Sequence, residues 1–257
     1  TINDAVAQTI TFNSLSSVIY GVGGQTMTAT ASSGLTVTYT VSGLASGDSL
    51  QVTPNCSTDF TNVTAVGSTA ITTCSGAVAP NYSIGYVSGT VTVIPATQSA
   101  FSFTLSSTST TYAGSSTTAS LTFTPSGGAS GGTITYAISG GTAANCSLSS
   151  GTLTASSVGT CIIRATKSVA NYNDVSNTAT FTITPASLTI TASSPTVLYG
   201  AAVPTVTYAV SGYVGGEGSS VITTGPTCIT AYTTASAVAS SPTTSCSGAV
   251  AANYSIA

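Results

Sequence analysis

Apolar and polar residues alternate along most of the chain in short runs with a period of two. Valine, isoleucine, leucine and phenylalanine are separated by single threonines or serines, and glycine, proline, asparagine or serine bounds each run. This pattern predicts β-strands, because successive side chains of a strand point to opposite faces of a sheet. No stretch keeps an apolar period of 3.6 residues, so the predicted fold class is all-β. The predicted strands cover residues 9–12, 36–41, 90–94, 101–105, 120–123, 133–138, 161–165, 178–183, 188–191 and 206–210.

The chain also repeats itself three times, and such self-similarity indicates an array of similar units. The phrase VTYTVSG at 37–43 returns as ITYAISG at 134–140 and as VTYAVSG at 206–212. A tyrosine turn precedes each phrase, at Tyr20, Tyr112 and Tyr199, with separations of 92 and 87 residues. Units of that size made of short strands are typical of two-sheet β-sandwiches.

We therefore predict three tandem sandwiches in an extended string, at residues 1–96, 97–186 and 187–257, and call them repeats 1, 2 and 3. The boundaries fall near Pro95 and Pro185, and such short proline linkers favour a semi-rigid line of domains. Repeat 1 continues after NYSI at 81–84 into a strand-like segment, whereas the sequence of repeat 3 runs to Ala257, directly after NYSI at 253–256. We expect repeat 3 to lack its closing strand.

The amino-acid composition indicates where such a protein is located. It contains 51 threonines and 43 serines, but charged residues make up 3 % of it, against about 25 % in an ordinary soluble domain. Hydroxyl groups must supply its hydration, which favours an extracellular or cell-surface location. A net charge of −3 disfavours nucleic acid as a partner, since that affinity rests on cationic side chains. No apolar run approaches the roughly 18 residues of a membrane span.

Six cysteines occur as one pair in each repeat. In an extracellular chain this arrangement predicts three disulfide bonds within the repeats. Six buried free thiols and pairing between chains are the alternatives that the sequence leaves open. A zinc site is disfavoured because the chain has no histidine and no closely spaced cysteine ligands. The predicted pairs are Cys56 with Cys74, Cys146 with Cys161, and Cys228 with Cys246.

Residues for enzymatic chemistry are almost absent. Without histidine, hydrolytic triads and Cys–His nucleophiles are excluded. A Ser–Lys dyad or a Lys–Asn crosslink would depend on Lys167, and a carboxylate pair on Asp48 and Asp59. Neither linker has the clustered carboxylates of a calcium site. We therefore predict no catalytic residue, no cofactor and no metal, and expect that the protein is not an enzyme.

Several of these segments resemble a known family. The segment ASLTITA at 186–192, the turn Leu198-Tyr199-Gly200, the segment PTVTY at 204–208 and Asn253-Tyr254-Ser255 are similar to bacterial extracellular Ig-like repeats of the MBG type. Repeat 1 carries the same frame, while repeat 2 looks more like a generic bacterial Ig-like domain. The resemblance implies immunoglobulin-like sandwiches in tandem in surface proteins or adhesins. It supplies no catalytic residue.

The sequence thus predicts a structural repeat unit of an extracellular bacterial filament, sheath or surface stalk, with copies of the same chain as its partners. Low charge favours self-association, because little repulsion opposes contact. Copies would join head to tail, with residues 1–7 of one completing repeat 3 of another, or the chain would be a window of a longer array. The residues expected at the assembly contact are Thr1, Ile2, Val6, Asn253, Tyr254 and Ile256.

An adhesin segment is the alternative function. It would bind glycans or protein through its loop tips, with exposed tyrosines as aromatic platforms. The candidates are Tyr82, Tyr86, Tyr172, Tyr213, Tyr232 and Tyr254.

Overall fold

The computed structural model shows an all-β protein, as the sequence predicts. It describes residues 6–12, 18–19, 39–42, 48–61 and 63–257, and it describes side chains from residue 48 onward. The described residues form 21 strands and one short 3₁₀ turn, Ser219–Val221. They fall into two compact units. The first comprises Thr1–Ser99, Gly128–Thr133 and Ser168–Val175, and the second comprises Ala100–Gly127, Ile134–Lys167 and Ser176–Ala257.

The described residues of repeat 1 form two sheets. One has the order β3-β1-β6, in which β1 pairs antiparallel with β3 and parallel with β6. The other has the order β2-β7-β5-β4, in which β7 pairs antiparallel with β5 and parallel with β2. The strands are β1 (Val6–Phe12), β2 (Val18–Ile19), β3 (Tyr39–Ser42), β4 (Asn55–Thr58), β5 (Thr69–Ser75), β6 (Tyr82–Tyr86) and β7 (Gly89–Ile94).

Repeat 2 has nine strands in three sheets, ordered β12-β15-β16-β9, β11-β8 and β10-β14-β13. Its last strand, β16, pairs parallel with β9. The strands are β8 (Phe101–Leu105), β9 (Ser109–Thr111), β10 (Thr117–Ser120), β11 (Phe123–Gly127), β12 (Thr133–Gly141), β13 (Ser147–Ser149), β14 (Thr152–Ala155), β15 (Gly159–Ser168) and β16 (Val175–Thr184).

Repeat 3 reproduces much of the topology of repeat 1. Its first strand, β17, pairs antiparallel with β18 and parallel with β21, as β1 does with β3 and β6. A second sheet consists of β19 and β20. An isolated bridge between Thr224 and Val250 matches the bridge between Val52 and Val78. The strands are β17 (Ala186–Ala192), β18 (Tyr208–Ser211), β19 (Thr227–Thr230), β20 (Thr244–Ser247) and β21 (Tyr254–Ile256).

Alternation of buried and exposed positions explains why these hydroxyl-rich segments form strands. Along β5 and β7 every second residue is buried, and most of the exposed residues between are threonine or serine, although Thr72 is buried and Ile71 is exposed. In the described part of repeat 1, the core includes Phe60, Ala70, Val91 and Val93. The core of repeat 2 includes Leu153, Cys161, Ile163, Ala165 and Phe181, each at most 1 % exposed.

One predicted strand, 120–123, does not exist, because the chain changes sheets there. β10 ends at Ser120 and β11 begins at Phe123. Between them, the Leu121 N–H donates to the Gly151 carbonyl at 2.7 Å, whereas the Thr122 carbonyl accepts from the Ser106 N–H at 3.0 Å. Leu121 and Thr122 therefore hydrogen-bond to different parts of the repeat, although the alternation of apolar and polar residues continues through both.

Replacing Phe181 by alanine should lower the free energy of unfolding by about 3–5 kcal/mol, because a fully buried aromatic side chain is lost and a cavity remains. Equilibrium urea unfolding measures the effect as a shift of the transition that includes repeat 2. Thr180→Ala, at an exposed position of the same strand, is the matched control and should shift stability by less than about 0.5 kcal/mol. Equal losses in the two variants would contradict this core assignment.

Candidate functional site

The six cysteines form three disulfide bonds, one within each repeat. They join Cys56 to Cys74, Cys146 to Cys161 and Cys228 to Cys246, with Cα–Cα distances of 4.0, 5.9 and 4.0 Å. These are the pairs predicted from the sequence, and all six cysteines are bonded. In repeats 1 and 3 the partners lie opposite each other on adjacent antiparallel strands.

Each disulfide bond stabilises a sandwich that has few large apolar side chains. The bonds span 18, 15 and 18 residues of sequence. Closing a loop of this length is worth about 3 kcal/mol in the chain-entropy model, since it restricts the unfolded chain. All three bonds therefore hold a repeat together internally, and none of them joins two repeats.

Glu217 lies at the centre of a contact between repeats 2 and 3, inside the second compact unit. The Tyr112 hydroxyl donates to its Oε1 at 2.6 Å, and the Tyr254 hydroxyl donates to its Oε2 at 2.5 Å. Tyr112 follows β9 of repeat 2, while Tyr254 begins β21 of repeat 3. Both tyrosines are buried, so their hydroxyls need protein partners. One carboxylate thus binds both repeats.

Aromatic rings pack near the Glu217 carboxylate, and two backbone segments approach each other closely beside it. The Tyr254 ring packs edge-on against Tyr112 and Tyr213, with centroid distances of 5.9 and 6.5 Å. Nearby, a Cβ atom on Gly114 would lie 2.8 Å from the Cα of Gly215. Their φ angles are 109° and 59°, and glycine satisfies both this conformation and this proximity. The two backbones therefore touch without intervening side chains.

The backbone linker between repeats 2 and 3 is very short. Pro185 alone separates β16 from β17. The Ala186 N–H donates to the Asn253 carbonyl at 3.1 Å, and the Val158 N–H donates to the Asn253 side-chain Oδ1 at 3.1 Å. Asn253 thus binds the start of its own repeat and a loop of the preceding one. We call Tyr112, Val158, Glu217, Asn253 and Tyr254 the repeat 2–3 joint.

An asparagine makes the same two bonds in the first compact unit. The Ala96 N–H donates to the Asn171 carbonyl at 2.9 Å, and the Val66 N–H donates to the Asn171 Oδ1 at 3.3 Å. Ala96 follows Pro95 as Ala186 follows Pro185, and both asparagines precede a tyrosine. Asn253-Tyr254-Ser255 carries part of the family resemblance, but the sequence did not reveal this bonding role.

The carboxylate of the joint also has a counterpart in repeat 1. Asp48 follows Gly43 by five residues, as Glu217 follows Gly212, and Asp48 accepts a hydrogen bond from the Tyr82 hydroxyl. The equal offset in two repeats was a signal that sequence analysis missed.

Burial shifts the titration of the tyrosines in the joint. Burial and the hydrogen bond to Glu217 raise the pKa of Tyr112 from 10.0 to about 12. The same two causes raise the pKa of Tyr254. Both hydroxyls therefore stay protonated and keep donating to the carboxylate through the neutral pH range.

The residues predicted for assembly have different places. Thr1 and Ile2 lie outside the described residues. Val6 begins β1 and pairs with Tyr82, so it belongs to the sheet of its own repeat. Asn253 and Tyr254 are part of the joint, and Ile256 pairs with Leu188 of β17. The segment expected to be donated, residues 1–7, therefore overlaps β1, which is paired within its own repeat from Val6 onward.

The charged residues that were considered for catalysis make separate hydrogen bonds. Lys167 Nζ donates to the Gly127 carbonyl at 3.0 Å, and Asp59 Oδ1 accepts from the Ile71 N–H at 2.6 Å. Within the part of the chain that the structure describes, no cluster of three His, Cys, Asp or Glu side chains could hold a metal ion. That same part contains no helix long and apolar enough to cross a membrane.

The tyrosines considered as ligand platforms make contacts within the protein. The Tyr86 hydroxyl accepts from the Ala77 N–H at 2.8 Å, and the Tyr232 hydroxyl donates to the Ala201 carbonyl at 3.0 Å. Tyr172 forms a backbone bridge with Ala96. The remaining three, Tyr82, Tyr213 and Tyr254, make the carboxylate and ring contacts described above.

Comparison with known families divides the chain into three matched stretches. The model of the MBG domain (YGX type) matches residues 9–92 and 188–257. The model of the bacterial Ig-like domain (group 2) matches residues 99–173. No curated protein and no solved structure matches the chain.

High pH should weaken the repeat 2–3 joint. The pKa of Tyr112 is about 12 in the folded protein and 10.0 ordinarily, so its stabilising effect is complete below pH 10 and is lost as the pH rises towards 12. Tyr112→Phe should be less stable at pH 8 by about 1 kcal/mol and lose less stability between pH 9 and pH 12. Urea unfolding at several pH values tests this.

Tyr199→Phe, which alters a side chain that is 70 % exposed, is the control and should behave as the wild type. An unchanged pH dependence in Tyr112→Phe would refute the role given to this hydroxyl.

Proposed function

Because this chain belongs to the family of MBG domains of the YGX type, we propose that it is a non-catalytic spacer segment of a bacterial surface structure. Its two MBG repeats enclose a bacterial Ig-like domain, and such repeat domains occur in bacterial surface proteins. In this proposal the segment works outside the cell as part of a filament, sheath or stalk. It holds the parts of the structure on either side of it apart and transmits load between them, and it catalyses no reaction.

The repeat 2–3 joint is the observation that carries this proposal. A spacer must hold consecutive domains in a fixed relation, and a one-residue linker alone leaves rotation at its ends. Here Glu217 accepts from both repeats, and Asn253 binds Val158 across the contact. Bending would separate buried donors from a carboxylate, and leaving such groups unsatisfied costs about 1–3 kcal/mol each.

The disulfide bonds and the composition support an extracellular role. Disulfides persist in oxidising surroundings, and each repeat contains one. The chain has two Lys or Arg residues, so trypsin-like proteases find few sites. Both Arg164 and Lys167 lie within β15, where a protease cannot bind the strand without local opening. Such a chain suits long exposure outside a cell.

Copies of the same chain are the proposed partners. A net charge of −3 over 257 residues provides little repulsion between molecules, and low net charge promotes association. In a filament or sheath, this property supports lateral and end-to-end contacts. Glycans are the partner class of the alternative function, an adhesin segment. The internal contacts of Tyr213, Tyr232 and Tyr254 favour the spacer, because these rings are used for packing and hydrogen bonding.

Residual dipolar couplings measure how rigidly repeats 2 and 3 are joined. We expect one alignment tensor to fit both repeats in the wild type, because the joint fixes their orientation. In Glu217→Ala the two repeats should need separate tensors, with the magnitude of one falling by roughly a third or more, since both tyrosine bonds are lost. Two different alignment tensors in the wild type would contradict the proposal that repeats 2 and 3 form a rigid spacer.

Asp48→Ala is the matched control, since it removes the corresponding carboxylate of repeat 1 and should leave the couplings of repeats 2 and 3 unchanged. The same samples, applied to a glycan array, test the alternative. Specific glycan binding by the intact chain would favour the adhesin.

A further inference from the structure

The loop of repeat 2 that binds repeat 3 lies inside a segment that a disulfide bond closes. Cys146 and Cys161 are 15 residues apart, and Val158 lies between them, three residues before Cys161. The Val158 N–H donates to Asn253 Oδ1 at 3.1 Å and so forms one contact of the repeat 2–3 joint. Cys161 is fully buried, at 0 % exposure. The disulfide bond therefore anchors this segment in the core of repeat 2.

Repeat 1 has the same arrangement where it contacts repeat 2. Cys56 and Cys74 are 18 residues apart, and Val66 lies between them. The Val66 N–H donates to Asn171 Oδ1 at 3.3 Å, so a valine inside the closed segment again binds an asparagine of the following repeat. The two repeats match different family models, and their cysteine spacings differ. The recurrence of the arrangement in both indicates a role for the disulfide bonds in joining repeats.

In repeat 2, hydrogen bonds join residues 142–145 to residues 156–160, and we call these two segments the clasp. The Ala144 N–H donates to Ser157 Oγ at 2.7 Å, and the Ser156 N–H donates to the Ala144 carbonyl at 2.9 Å. These bonds fix the backbone directly before the N–H group that the joint uses.

The disulfide bond lies at the end of the clasp. The N–H groups of Thr142 and Ala143 both donate to the Thr160 carbonyl, at 2.8 and 3.0 Å. The Thr160 N–H in turn donates to Thr142 Oγ1 at 2.9 Å. Cys146 and Cys161 directly follow the two segments of the clasp, so the bond between them joins the segments covalently.

A covalent bond at this place changes what the hydrogen bonds of the clasp can do. Most of these bonds lie near the surface, where water competes for the same donors and acceptors and the net stabilisation is small. The disulfide bond restricts the alternative conformations of the segment that it closes. A donor that is already held in its bound orientation loses less conformational freedom on contact, and such preorganisation strengthens binding.

We propose that the Cys146–Cys161 bond is a positioning element of the repeat 2–3 joint, so that the two repeats become rigidly joined when this bond forms. Its formation removes two protons and two electrons from the two thiols, and a low-molecular-weight disulfide outside the cell accepts them and becomes two thiols. In the reduced chain the clasp opens, and Val158 binds Asn253 for only part of the time. This inference rests on the proposed function, a rigid extracellular spacer, and adds that oxidation makes the spacer rigid.

Residual dipolar couplings and amide exchange of the intact chain test this role. In the variant that carries both Cys146→Ser and Cys161→Ser, we expect separate alignment tensors for repeats 2 and 3, whereas the oxidised wild type has one. The Val158 amide should exchange at least roughly tenfold faster in this variant, because the clasp opens more often. A single alignment tensor in the folded variant would overturn the inference.

Two controls separate positioning from a general loss of stability. Phe181→Ala weakens the core of repeat 2 and keeps the clasp, so one alignment tensor should still fit repeats 2 and 3. Separate tensors in this control as well would refute the positioning role. Replacing Cys56 and Cys74 by serine should accelerate exchange of the Val66 amide and leave the couplings of repeats 2 and 3 unchanged.

A milder variant tests the clasp even if the double cysteine variant fails to fold. Ser157→Ala keeps the disulfide bond and removes the hydrogen bond from the Ala144 N–H, so the Val158 amide should exchange roughly threefold faster or more. Ser120→Ala, at an exposed position of β10, is the matched control and should leave this rate unchanged. Equal rates in the two serine variants would contradict the clasp. Separate tensors in the oxidised wild type would contradict the spacer function itself, so the two failures are distinguishable.

Discussion

A sandwich made mostly of threonine, serine, alanine and glycine has little apolar volume to bury, and this limit shapes the rest of the structure. Small domains bury a smaller fraction of their surface than large ones, so each has a thin margin of stability. Among the side chains that the structure describes in repeat 1, one buried cluster comprises Phe60, Ala70, Val91 and Val93, of which Phe60 is the largest. Cross-strand disulfides and shared contacts between neighbours supply what the cores lack.

Charge is scarce as well, and three of the carboxylates that the structure describes have defined partners, those of Asp48, Asp59 and Glu217. Asp48 and Glu217 occupy equal offsets in repeats 1 and 3, and each binds the tyrosine of an Asn-Tyr pair. In repeat 3 that carboxylate has a second donor, Tyr112, from the preceding repeat. In repeat 1 the carboxylate forms a hydrogen bond within its own repeat. In repeat 3 the corresponding carboxylate also joins two repeats, because Tyr112 of repeat 2 contributes a second hydroxyl.

Local pattern and internal repetition predicted the all-β class and the cysteine pairs, because both depend on neighbouring residues or on spacing. Strands such as β4 (NCST) and β20 (TSCS) escaped detection, since they carry no apolar alternation and are fixed by disulfides. The strand predicted at 120–123 was wrong, because the alternation of apolar and polar residues continues where the chain passes from one sheet to another. The Tyr112–Glu217 bond joins residues 105 positions apart, and only tertiary structure brings them together.

The parallel pairing of terminal strands determines how a repeat responds to tension. In repeat 2, β9 lies near the start and β16 at the end, and three residues of each are in parallel register. Pulling on the two ends of the repeat moves these strands in opposite directions along their length. The ladder is then sheared, with its hydrogen bonds loaded together, and it is not peeled apart one bond at a time. With this geometry, the hydrogen bonds between β9 and β16 share a tension applied along the chain.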